Sequence, residues 1–145
     1  MKEKKGKLLF HINSLGKGGA ERVVTVLSGY FAEDGYQVLI VTLWRAEEEF
    51  PLPAKVRRIN LGDLPVRAGG RFALALQRFL SFRKSIKTFA PDIVISFCNK
   101  ANFRSAFAMA GMKTPLLTSV RNDQEKDYRP YKAACWWMEK KEITI

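Results

Sequence analysis

The sequence predicts an α/β fold, a parallel sheet covered by helices on both faces. Three observations carry this. Short apolar runs alternate along the chain with longer stretches of helical periodicity. The run at 37–43 (QVLIVTL) is β-branched and nearly all apolar, as a strand buried on both faces should be. A turn crowded with glycine, at Gly16, Gly18 and Gly19, joins the first apolar run to the first helical pattern, where a strand feeding a helix needs a tight connection.

The elements follow in order. Residues 7–13 (KLLFHIN) form the first strand. Ala20, Val23, Val24, Val26, Leu27, Tyr30 and Phe31 recur at spacings of three and four, which predicts an amphipathic helix. It ends around residues 33–35, with Gly35 as its cap. Residues 37–43 make the second strand and 56–61 (VRRINL) a weaker third. Residues 62–70 are a loop with Pro65 and a Gly-Gly pair. A helix over 71–89 carries Phe72, Leu74, Leu76, Phe79, Leu80, Phe82 and Ile86, and Ala90-Pro91-Asp92 stops it. A strand at 93–97, a helix at 102–112, a strand at 115–120 and a helix-like stretch at 124–141 complete the order β-α-β-β-α-β-α-β-α.

Bulk properties narrow the function. The 145 residues suit one ordinary domain, and a hydrophobic fraction of 47% supports a core. Lysines precede apolar residues at the N-terminus, but that run is only Leu8 to Phe10 plus Ile12, with no small-residue cleavage site, so no signal peptide is expected. No segment approaches the roughly 20 apolar residues of a membrane span. The expected location is cytoplasmic, at most peripheral at the inner face of the membrane. Cys98 and Cys135 form no C-x-x-C pair, and His11, the one histidine, completes no zinc site with them. No metal is expected. His11 lies inside the first strand and reads as a core histidine.

The net charge of +11 attracts polyanions. Lys2, Lys4, Lys5 and Lys7 form one basic cluster; Arg71, Arg78, Arg83, Lys84 and Lys87 form another. With no RNP-type motif, zinc finger or helix-turn-helix, nucleic acid is disfavoured. A solvated face and a face toward an anionic membrane or lipid phosphate both remain.

Parallel sheets bind ligands outside the carboxyl ends of their strands. That directs attention to residues 14–21, 97–102 and 119–123. In the first stretch glycine supplies positive φ and lets another backbone or a ligand come close, and the N–H groups opening a helix favour anions. Lys17 adds charge. Glu21 occupies the third glycine position of G-x-G-x-x-G, and no G-K-[ST] is present, so neither fingerprint is met. Phosphate or substrate contact and a merely structural turn both remain open.

The stretch GKGGAERVV resembles the N-terminal motif of family 4 glycosyltransferases, which have the GT-B architecture of two Rossmann-like domains facing a cleft. Residues 91–123 (PDIVISFCNKANFRSAFAMAGMKTPLLTSVRND) resemble the strand-helix-strand block of the branch that builds surface polysaccharides and glycolipids. That block typically ends in S-E-R-N-D. Here Val120 replaces the glutamate, while Ser119, Arg121, Asn122 and Asp123 are kept. The resemblance implies a Rossmann-like domain over 1–123, the N-terminal half of a GT-B fold, and a C-terminal helical extension over 124–145.

It further implies retaining transfer of a sugar from a UDP- or GDP-linked nucleotide-sugar donor to a glycan or lipid-linked acceptor. No cofactor is bound. The N-terminal domain mainly holds the acceptor; a C-terminal domain or partner chain holds the donor. Gly18 and Gly19, with Gly16, Lys17 and Glu21, would approach donor phosphates or the transferred sugar. Asn99 and Asn102 would line the cleft, and Arg121, Asn122 and Asp123 would form its floor. No residue is assigned a catalytic role.

Departures are specific. Many relatives place a histidine soon after the fourth strand, where this chain reads Phe97-Cys98-Asn99. The family's Glu-x7-Glu donor motif is absent, and Glu139 and Glu142 do not stand in for it. This portion alone is therefore expected to be silent. The alternative from another class is a non-catalytic binding module, or a subunit of a two-chain transferase, that recognises a phosphorylated ligand. A flavodoxin-like domain, which would need a flavin, is a third. Trp136 and Trp137 would pack either into this domain or against a partner.

Overall fold

The computed structural model describes residues 5–65 and 69–120. Its elements are β1 (Lys7–Ile12), α1 (Gly19–Glu33), β2 (Gln37–Thr42), β3 (Arg57–Asn60), a 3-10 turn (Leu61–Asp63), α2 (Gly70–Phe89), β4 (Ile93–Phe97), α3 (Asn99–Ala108) and β5 (Leu116–Ser119). The five strands form one sheet in the order β3-β2-β1-β4-β5, and every neighbouring pair is parallel. This is the Rossmann-like sheet expected, with helices on both faces.

The strand order reverses between β1 and β4. Connections from β1 run outward through β2 to β3, and the chain then returns to lay β4 on the other side of β1. The loops after β1 and β4 therefore part in opposite directions and leave a crevice at their carboxyl ends. Both the glycine turn and Cys98-Asn99 open onto it.

Alternation along the strands divides the core. Leu8, Phe10 and Ile12 of β1 join Val38 and Ile40 of β2 and Val24 of α1 on one face. Leu9 of β1 joins Leu39, Val41, Val94 and Phe82, Ile86 and Phe89 of α2 on the other. Position 11 has the parity of Leu9, so His11 faces α2 and its ring lies 4.2 Å from that of Phe82.

Helix ends explain the connections. After α1, Gly35 adopts φ 104°, Gly35 N–H donates to Ala32 O and Tyr36 N–H to Phe31 O, a Schellman closure. After α2, Ala90 turns left-handed at φ 49° before Pro91. Arg83 on α2 donates to Ala108 O and Ala110 O and so closes the carboxyl end of α3. One member of the α2 basic cluster is thus turned inward.

The helix after β4 differs from the expected 102–112. It begins at Asn99 and ends at Ala108. A single residue, Cys98, makes the strand-to-helix connection at φ 72°, and Asn102 N–H donates to Cys98 O to close the first turn at once. Asn99 and Asn102 are weak helix formers, which hides that early start in the sequence. The expected stretch at 124–141 lies outside the described residues, as does Cys135.

Candidate substrate cleft

The glycine turn is held from the β2 side. Asn13 O accepts from Leu43 N–H at 2.8 Å and Trp44 N–H at 3.1 Å. Phe50 N–H donates to Leu15 O at 2.9 Å, and Gly16 forms an antiparallel bridge with Glu49. Gly18 N–H reaches back to Gly16 O, and Arg22 N–H donates to Gly18 O to start α1.

None of Gly16, Gly18 and Gly19 has positive φ, and Gly18 is extended at φ −115°, ψ 172°. The expectation of left-handed glycines is corrected: this turn uses glycine for space. A β-carbon on Gly16 would press on Ala46 at 3.2 Å, and one on Gly18 would meet the Glu21 carboxylate. One on Gly19 would meet nothing within 4 Å among the described residues, so their packing does not require glycine there. The N-cap of α1 is Gly18, which has no side chain to cap the helix, and the Glu21 carboxylate lies against it at the positive end of the helix. Lys17 turns away to pair with Glu48 at 2.6 Å on the surface.

Sequence reasoning missed the brace beneath this turn. Arg58 on β3 holds Glu49 through two bonds, 2.6 and 3.0 Å, with both side chains largely buried. Glu49 also accepts from Ala46 N–H, and Arg58 also donates to Thr42 Oγ1 and Trp44 O. Hydrogen bonds from Arg58 pull the Glu49 carboxyl down to about 2. Glu49 closes a run of three glutamates, which reads as solvated loop. The available signal was Arg58 inside a strand, since a sheet arginine needs a partner.

On the β4 side, Asn99 and Asn102 sit on the first turn of α3 and are almost wholly buried. Asn102 Nδ2 donates to Ser119 O at 3.2 Å, and Cys98 N–H donates to the same oxygen at 3.1 Å. The buried Asn102 Oδ1 has no hydrogen-bond partner among the described residues. Asn102 therefore ties α3 to the end of β5. Cys98, in a backbone conformation costly for a residue with a β-carbon, stands at the crevice. Arg121, Asn122 and Asp123 lie outside the described residues.

His11 is fully buried. Val41 O accepts from its Nδ1 at 2.8 Å, which fixes the proton there and leaves Nε2 to accept from Arg104 at 3.1 Å. Burial, then the Arg104 charge, push the imidazole pKa down to about 3. The ring is a neutral structural acceptor, as its place inside a strand suggested. Arg104 also donates to Asn13 Oδ1 at 3.1 Å, linking α3 to the residue just after β1.

Among the described residues, no group of three or more His, Cys, Asp or Glu side chains is placed to hold a metal, and no helix is long and apolar enough to cross a membrane.

Comparison with known proteins gives this geometry a family. The model of Glycosyltransferase Family 4 matches residues 17–143. A curated relative from Campylobacter jejuni, GalNAc-alpha-(1->4)-GalNAc-alpha-(1->3)-diNAcBac-PP-undecaprenol alpha-1,4-N-acetyl-D-galactosaminyltransferase, is 28% identical over 119 residues, 81% of this chain. The chain spans about a third of that relative's length, 33%. Sucrose-phosphate synthase from Thermosynechococcus elongatus has a similar fold, with TM-score 0.64 and 11% identity over 86% of this chain and 35% of that one. A glycosyltransferase from Rickettsia africae gives TM-score 0.56 and 18% identity over 89% and 35%. The Rossmann-like sheet, the glycine turn at its crevice and the family match agree: the chain belongs to glycosyltransferase family 4, as an N-terminal domain of the GT-B type.

Proposed function

We propose that this chain is the acceptor-side domain of a retaining glycosyltransferase of the polysaccharide- or glycolipid-building branch. The donor is a UDP- or GDP-linked sugar, and the acceptor a glycan or lipid-linked saccharide. The observation that carries the reading is Gly19, which faces open space at the uncapped start of α1 beside the crevice between β1 and β4. Backbone N–H groups there suit a phosphate or sugar oxygen, and the Glu21 carboxylate suits a sugar hydroxyl. Gly16 keeps the turn close-packed, Gly18 leaves room for the Glu21 carboxylate, and Lys17 would reach a bound ligand only by leaving Glu48. Asn99 and Asn102 set the β4 wall, and Arg121, Asn122 and Asp123 form the floor. No bound cofactor takes part.

The relative from Campylobacter acts, by its name, on a saccharide carried by a PP-undecaprenol lipid. An acceptor of that class fits the net charge of +11 and the exposed apolar outer half of α2, and it would bring the domain to an anionic membrane surface. Because relatives are about three times as long, the domain by itself is silent and works with a donor-binding domain or partner chain.

The test is transfer by the full-length protein from a panel of UDP- and GDP-sugars to lipid-linked acceptors, with the product anomer read by NMR. The expected result is transfer with the donor's anomeric configuration kept, and a loss of at least about a hundredfold in G19V, whose side chain would fill the open space. Full activity in G19V with an unchanged melting temperature would defeat this placement of the site. Binding without turnover by the full-length protein would favour a binding module instead.

A further inference from the structure

We propose that Arg78 and Arg104 form an anion-binding subsite that takes a phosphate or diphosphate group in the cavity between α2 and α3. The cavity, about 530 Å³, is lined by Leu43, Ala75, Arg78, Phe79, Arg104 and Phe107. Among the described residues, two guanidinium groups are its only charged lining and no carboxylate lines it.

Each arginine is arranged as a donor awaiting an anion. Arg78 Nε is buried and has no hydrogen-bond partner among the described residues. Among the described residues Arg104 bonds through Nη1 alone, and both acceptors, His11 Nε2 and Asn13 Oδ1, are uncharged. His11 is fixed in turn by Val41 O, so the Arg104 guanidinium is oriented from beneath by a buried chain of hydrogen bonds. Burial, then the neighbouring Arg78 charge, lower the Arg104 pKa from its ordinary value, though an arginine stays protonated.

Two half-buried like charges with no acid beside them among the described residues are costly unless an anion joins them. A doubly charged oxyanion fits best, because each planar guanidinium can offer paired N–H donors to phosphate oxygens. Phe79 and Phe107 give the same cavity an apolar wall. The subsite rests on these residues and does not depend on the sugar-transfer reading.

The experiment is calorimetric titration of the full-length protein with inorganic pyrophosphate, and sedimentation with phosphatidylcholine vesicles with and without phosphatidic acid. Wild type is expected to bind pyrophosphate. R78Q and R104Q should each weaken it about tenfold or more, the usual effect of losing a charge-assisted bond. R57Q, which removes the same charge from the edge strand β3, where Arg57 packs on the Phe89 ring outside this cavity, should leave it unchanged. Binding to phosphatidic acid vesicles alone, lost in R78Q, also supports the subsite and assigns the phosphate to a lipid. If R104Q fails to fold, R78Q decides, since residues 71–80 of α2 contain no buried position. Absence of binding to both probes, or equal weakening by R57Q, would overturn the proposal.

Discussion

Single side chains set the pH response. The His11 imidazole has an ordinary pKa of 6.5 and a folded one of about 3. Between these values the unfolded chain binds a proton that the folded chain refuses, so stability falls as pH falls through that window. The slope approaches 1.4 kcal/mol per pH unit, and denaturation at pH 5 should show about 2 kcal/mol less stability than at pH 7. Glu49 acts in the same direction but lower, from its ordinary 4.5 to about 2. The two windows overlap below pH 4.5, so the loss between pH 7 and 5 is the part that belongs to His11. H11N should flatten the loss between pH 7 and 5; an unchanged slope would remove His11 as its source. For the brace, E49A leaves Arg58 buried without its acid and should cost roughly 3–5 kcal/mol. A cost near zero by denaturant melts would mean that the pair is effectively solvated.

Among the elements, α2 has two unlike halves. Phe82, Ile86 and Phe89 in its second half are buried against the sheet. In its first half Phe72 is 82% exposed, Leu76 46% and Leu80 53%, an i, i+4, i+8 stripe on one face. The expected helical pattern was correct as a helix, but it did not tell core positions from surface ones, because both recur at the same spacing. For the proposed membrane face the prediction is direct: F72E and L76E should abolish sedimentation with anionic vesicles and leave the melting temperature within about 2 °C. Equal sedimentation of wild type and variants would show that the stripe does not meet lipid.

At the scale of the molecule, the site is a product of strand order. The alternation of strand and helix, the buried second strand, the Gly35 stop and the glycine turn were all legible along the chain, because each depends on neighbours within a few residues. The family motifs at 16–24 and 91–123 were legible for the same reason. The early start of α3 was not, since it follows a positive-φ Cys98 whose N–H is held by Ser119 O, 21 residues away. Nor were the Glu49–Arg58 brace, the inward turn of Arg83, or the shared cavity of Arg78 and Arg104, each of which joins residues from separate elements. The sequence by itself determined the elements, their class and the family, because local periodicity and turn chemistry act through near neighbours. Only the tertiary structure decided which charges are paired, which glycine is required by space and which faces open ground, because burial and partnership exist only once the strands have been ordered β3-β2-β1-β4-β5.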